Sequence, residues 1–114
     1  MTISAFLEKI RNNPSRISFK NTMNVIENNY NFVPVRFING KLVNEEGQNS
    51  GSCKIFSFAK LHALNKKETL VCFGGYYRID VLQNPDKDDH QNIRSFIETG
   101  WDAISFEKEA LTKK

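Results

Sequence analysis

A thiol, two imidazoles and a polar glycine loop are the parts of this chain that can do chemistry. Cys53 follows Glu46-Gly47-Gln48-Asn49-Ser50-Gly51-Ser52 and leads into the apolar run Ile55-Phe56-Ser57-Phe58-Ala59. That run reads as a helix, and the start of a helix exposes unpaired N–H groups and the positive end of the dipole, which favour a thiolate. A cysteine hydrolase or transferase needs the thiolate, a base within reach, a group that orients the base, and donors for the oxyanion. His90 is the better base because it lies in a polar segment, Asp88-Asp89-His90-Gln91-Asn92. Asp89 or Asn92 would orient it, with Gln48 and the Cys53 N–H as oxyanion donors. His62 lies nine residues past Cys53, about 13 Å further along the same helix and out of reach.

The same loop can instead cradle an anion. Gly47, Asn49, Gly51 and Ser52 offer backbone and side-chain donors, and Lys54 offers a charge. The spacing departs from the Walker pattern, in which four residues separate the glycines and Lys-Ser/Thr follows directly. Asp86, Asp88, Asp89 and His90 have ligand chemistry, but the sixth position from Asp86 is not Gly and the twelfth is Ile97, which excludes an EF-hand. Acids at a helix start are ordinary complements of the dipole, so no metal or other cofactor is expected. Tyr76-Tyr77-Arg78 with Trp101 offers a stacking surface, although core packing accounts for at least half of those rings. Free cysteine is among the most buried residue types. A binding or regulatory module is therefore the leading reading, with an unknown protein or a small anion as partner, and a cysteine enzyme using Cys53 and His90 the alternative.

Composition narrows the class. The chain has 114 residues, 39% hydrophobic and 25% charged, which fits one globular domain spanning 1–114. Apolar stretches are far shorter than the roughly 20 residues that span a bilayer. The opening Met1-Thr2-Ile3-Ser4-Ala5-Phe6-Leu7-Glu8 lacks the basic region of a secretory signal, so the cytoplasm is the expected compartment. Two cysteines make no disulfide framework. The net charge of +3 comes from basic residues scattered among acids, whereas a nucleic-acid footprint is clustered. Only Thr112-Lys113-Lys114 forms a basic end, which reads as a frayed tail.

These residues must be held by regular elements. Ile3, Phe6, Leu7 and Ile10 predict an amphipathic helix capped by Thr2 and stopped before Pro14. Ser18 caps a second helix through about Asn29, with Phe19, Met23, Ile26 and Tyr30 as its stripe. Residues 32–38 alternate, and Asn39-Gly40 predicts a two-residue hairpin turn that sets Phe37 opposite Leu42. Ser52 is the expected cap of a central helix through about Ala63. Asn65 with Glu68 forms a capping box for a helix that continues to Val81 unless Gly74-Gly75 breaks it. Asn84-Pro85-Asp86 is a turn. A last helix from Asp88 ends at Gly100, with Trp101 folding back, and Ala103 to Phe106 adds a third strand. The fold class is α+β, about five helices around a small antiparallel sheet of two to three strands.

Set in this order, several segments resemble the HopJ family of type III effector-like proteins over nearly the whole chain. They are Asn24 to Tyr30, Glu46 to Phe56, Cys72 to Arg78, Asp88 to Arg94, and Gly100-Trp101. The resemblance implies an effector-like protein, with export through a type III secretion system as a possible route, and it brings no catalytic residues. Gly51-Ser52-Cys53 with Phe56-Ser57 is also similar to the nucleophile segment of papain-like cysteine proteases, with Lys54 in place of an aromatic and Gln48 one residue closer. Such local signatures do not transfer between families.

Overall fold

A computed structural model describes residues 1–114. Helix α1 spans Ile3–Asn12, and Thr2 Oγ1 caps it by accepting from the Ala5 N–H at 3.0 Å. The chain turns through a short 3-10 segment at Pro14–Arg16 into α2, Phe19–Asn29. Ser18 and Asn21 close a reciprocal capping box there. The stripe of α2 is wider than its large residues suggested, since Thr22 and Val25 are buried with Ile26. Thr22 can be buried because its hydroxyl donates to the Cys72 carbonyl at 2.8 Å.

The strands form two small sheets. Strand β1, Tyr30–Phe32, pairs antiparallel with β5, Leu111–Lys113. The basic end expected to fray is therefore a paired strand, anchored by buried Ala110 and Leu111 and by the Lys114 N–H on the Asn29 carbonyl. The second sheet has the order β3-β2-β4, with β2 at Phe37–Asn39, β3 at Leu42–Asn44 and β4 at Ile104–Phe106. The hairpin is present, with its turn one residue later than expected and each cross-strand partner therefore moved by two. Phe37 pairs with Asn44 and Asn39 with Leu42, so Gly40-Lys41 makes the turn. Only Gly40 has positive φ, +62°, the pattern of a turn with Gly at its first central position. Asn39 is thereby drawn into the sheet and fully buried, where its Nδ2 finds two acceptors on Asn92 and its Oδ1 is left without a donor.

Helix α3, Ser50–Leu61, runs through the centre of the molecule, and Ile55, Phe56, Phe58 and Ala59 have no solvent exposure. Phe56 is the hub, its ring 4.9 Å from Phe96, 5.5 Å from Phe73, 6.2 Å from Phe37 and 6.3 Å from Trp101. Helix α4, Lys66–Val71, begins with the Asn65/Glu68 capping box. It stops before Gly74, whose φ of +60° ends the run, and a π-helical segment follows at Tyr76–Val81. Helix α5, Gln91–Thr99, ends at Gly100 with φ +63°. Trp101 folds back so that its indole N–H donates to the Leu64 carbonyl at 3.0 Å. No helix is long and apolar enough to cross a membrane.

Candidate functional site

Four asparagines from separate parts of the sequence meet beneath the starts of α3 and α5. Asn39 donates to the Asn92 carbonyl at 2.8 Å and to Asn92 Oδ1 at 3.0 Å. Asn44 donates to Asn92 Oδ1 at 3.1 Å and accepts from Asn92 Nδ2 at 2.9 Å. Asn49 donates to Asn44 Oδ1 at 2.7 Å. Asn39, Asn44 and Asn92 are buried and Asn49 is exposed; the lattice fastens the hairpin to both helix starts, and unpairing one of its buried members costs roughly 1–3 kcal/mol.

The lattice also dictates how the two helices begin. Asn49, not Ser52, is the N-cap of α3, and its side chain is turned down to Asn44, so no side chain caps the first turn. The helix accordingly starts three residues before the position that capping preference indicated. His90 is the N-cap of α5 and likewise makes no capping bond. Its Nε2 instead donates to Asp80 Oδ2 at 3.0 Å, and its ring stacks on Tyr76 at 4.9 Å. Both caps are left-handed, Asn49 at φ 50°, ψ 48° and His90 at φ 49°, ψ 50°.

Both starts open onto one cleft of about 190 Å³. Phe19, Asn49, Gly51, Ser52, Phe73, Tyr76, His90, Asn92 and Ile93 line it. Gly51 is closely approached, since a Cβ there would stand 2.8 Å from the Phe19 ring. The N–H groups of a helix's first turn lack intrahelical partners and carry the positive end of the dipole. Two helix starts without side-chain caps border this one cleft, so the dipoles of both favour negative charge there, beside the Phe19 and Tyr76 rings, which lie 4.9 Å apart. A larger depression of about 610 Å³ beside Lys41, Leu42 and α5 holds none of the residues the sequence nominated.

The sequence-nominated residues divide clearly. Asn49, Gly51, Ser52 and His90 come together in the cleft, while Gly47, Gln48, Cys53 and Lys54 are not among its lining residues. Lys54 is turned to α2 and β1, pairing with Glu27 at 3.3 Å and lying 5.0 Å from the Phe32 ring centroid. Gln48 closes a local turn by accepting from the Glu45 N–H at 3.0 Å.

The expected reactive thiol is corrected. Cys53 is 2% exposed, and burial pushes its pKa up against the smaller opposing pulls of the Val35 backbone, Ser57 and Lys54. Its N–H, proposed as an oxyanion donor, is used by the Asn49 carbonyl at 3.0 Å. The helix start is favourable for a thiolate, but the sulfur faces the core, and desolvation outweighs the dipole. His90 is held by Asp80 and Tyr76, with Asp89 further off at 3.9 Å. Asp89 itself belongs to Arg94 at 2.7 Å, which holds its carboxyl below the usual range. Cys72 is sealed, its thiol pushed up to about 12 by burial. His62 shares a 2.7 Å hydrogen bond with the Tyr30 hydroxyl, and burial lowers its pKa.

Sequence reasoning missed Asn39, Asn44 and Asp80. The Asn39-Gly40 dipeptide reads as a turn by local preference, Asn44 acts through Asn49 and the distant Asn92, and Asp80 acts through His90, pairings that no local sequence pattern marks.

The molecule is thus of the α+β class, with a small cleft between two helix starts tied to a β-hairpin. Residues 3–111 match the family described as HopJ type III effector protein, and the chain belongs to that family. Three of the segments that carried the resemblance, Glu46 to Phe56, Cys72 to Arg78 and Asp88 to Arg94, contribute residues to the cleft. No curated protein matches the chain. Among solved structures it is similar to the crystal structure of an unknown function protein, VPA0580, at 52% identity and a TM-score of 0.98. The alignment covers 100% of this chain and 95% of that one.

Proposed function

We propose that this HopJ-family protein is a small binding module that holds a compact anion in the cleft between α3 and α5. The convergence of two uncapped helix N-termini, at Asn49 and His90, carries the reading. Two such ends add their dipoles, each worth about 0.3–1 kcal/mol toward a nearby negative charge and more where water is excluded. The volume of about 190 Å³ lies below the roughly 300 Å³ at which drug-sized pockets begin, and it suits a phosphate, a sulfate or the acidic tip of a larger partner. Phe19 and Tyr76 supply a wall for an aromatic ring attached to the anion. Lys54 is absent from this account because it is already committed to Glu27.

Ser52→Asp separates anion binding from folding. Ser52 stands in the first turn of α3, so a carboxylate there favours the helix by about 0.3–1 kcal/mol while occupying the cleft with negative charge. Inorganic phosphate and phenyl phosphate should raise the melting temperature of wild type and shift the amide resonances of Gly51, Ser52 and Asn92. Ser52→Asp should melt no lower than wild type and show neither response. Equal phosphate binding by Ser52→Asp, or equal binding of neutral phenol and phenyl phosphate, would overturn the proposal. Cys53→Ser should leave phosphate binding within about twofold, since its sulfur faces away from the cleft and contributes none of the ~1 kcal/mol typical of a hydrogen bond to the ligand.

A further inference from the structure

A second cavity lies on the far part of α3, away from the asparagine lattice. It measures about 470 Å³ and is lined by Ser57, Lys60 and Leu61 of α3, by Phe106 at the end of β4 and Leu111 at the start of β5, and by Lys108, Glu109 and Ala110 between them. At that size it falls within the range of pockets that enclose small organic ligands. Leu61 is 52% exposed at the rim of this cavity. Ser57 is only 7% exposed, and its hydroxyl is buried without a hydrogen-bond partner. The Cys53 thiol one turn back is a weak sulfur acceptor on which that hydroxyl pulls, and no nitrogen or oxygen partner completes it. Buried hydroxyls are nearly always paired, so an orphan lining a cavity is a polar anchor without its acceptor.

We infer that this cavity is a binding site for a small amphipathic carboxylate with an aromatic or branched aliphatic body. The body lies on Leu61, Phe106, Ala110 and Leu111. The carboxylate sits on the side of Lys60 and Lys108, within reach of the Ser57 hydroxyl as donor. Lys60 is already positioned over the Phe106 ring, 5.6 Å from its centroid, so its charge overhangs the apolar floor. Glu109 is the one acid among the lining residues, and it repels the head group toward the two lysines and fixes the orientation. The site is independent of the α3/α5 cleft, with which it shares no lining residue.

Phenylacetate and its neutral amide, phenylacetamide, test the assignment. Phenylacetate should shift the amide resonances of residues 57–61 and 106–111 and leave those of Gly51 and Asn92 in place, with the amide binding at least tenfold more weakly. Ser57→Ala should lose about tenfold in phenylacetate affinity, the value of one hydrogen bond to a charged group. The same variant should be at least as stable as wild type without ligand, because it removes an unpaired buried hydroxyl. Lys60→Gln should weaken phenylacetate and leave phenylacetamide unchanged. Undiminished affinity in Ser57→Ala, equal binding of acid and amide, or shifts confined to the α3/α5 cleft would overturn the proposal.

Discussion

Asn49 and His90 share a backbone conformation that costs an ordinary side chain roughly 1–2 kcal/mol. Asn and His are among the residues most often found there, and here each is also held by a strong side-chain contact, to Asn44 and to Asp80. These two bonds leave the helix starts bare. At the same scale, a residue's facing decides the fate of Cys53. The sequence places it correctly near the start of an apolar helix, but with apolar residues on most sides nothing marks which way the sulfur points. Both thiols should therefore resist alkylation in the native protein and react together on unfolding, since burial raises both pKa values. Mass spectrometry of iodoacetamide-treated native and urea-unfolded protein checks this. Rapid native labelling of Cys53 would contradict the buried geometry.

Elements join at glycines that tolerate no side chain. Gly74 takes φ +60° between α4 and the π-helical segment, and a Cβ there would stand 2.5 Å from the Phe19 backbone nitrogen. Gly74→Ala should lower stability by about 2 kcal/mol or more, combining left-handed strain with a clash against backbone that cannot swing aside. Urea denaturation measures it, and Gly75→Ala, where the nearest heavy atom is 3.9 Å away, is the control. The break after α4 was legible because two glycines interrupt an otherwise helical run, and the caps at Thr2, Ser18 and Asn65 were legible because capping is local chemistry. The pairing of β1 with β5 was not. Three-residue strands carry almost no periodicity, and Tyr30 fits the stripe of α2 as well as it fits a strand.

For the whole molecule, a radius of gyration of 13.2 Å matches the roughly 13 Å expected of one compact domain this long. The hub at Phe56 touches rings from β2, from α5 and from the segments after α4 and α5. Unfolding should be a single cooperative transition. Its acid limb has an identifiable contributor in Glu68, which the Asn65 N–H and then Arg11 hold below its ordinary 4.5. A depressed folded pKa means that the stabilisation is complete above 4.5 and is lost as pH falls through the lower folded value. Glu68→Gln should flatten the stability profile in that acid range and leave its shape above pH 6 unchanged. Denaturant titrations at stepped pH give the readout, and an unaltered acid limb would remove Glu68 from the account.

The buried Asn39-Gly40 step sets a chemical clock on the chain. In an unfolded peptide the Gly40 nitrogen attacks the Asn39 side-chain carbonyl, ammonia leaves, and the succinimide opens with water to aspartate or isoaspartate. Folding stops the clock at both ends of the reaction. The Gly40 N–H is engaged by the Ala103 carbonyl at 3.0 Å, and the Asn39 carboxamide is pinned on Asn92. A chain that reacts while open cannot restore the lattice, because a carboxylate would face two Asn92 oxygens with no proton to offer. Loss of ammonia at Asn39 should thus accumulate in urea-held protein and be nearly absent from native protein aged alongside it. The working life of each molecule is then counted in its unfolding events rather than in elapsed time.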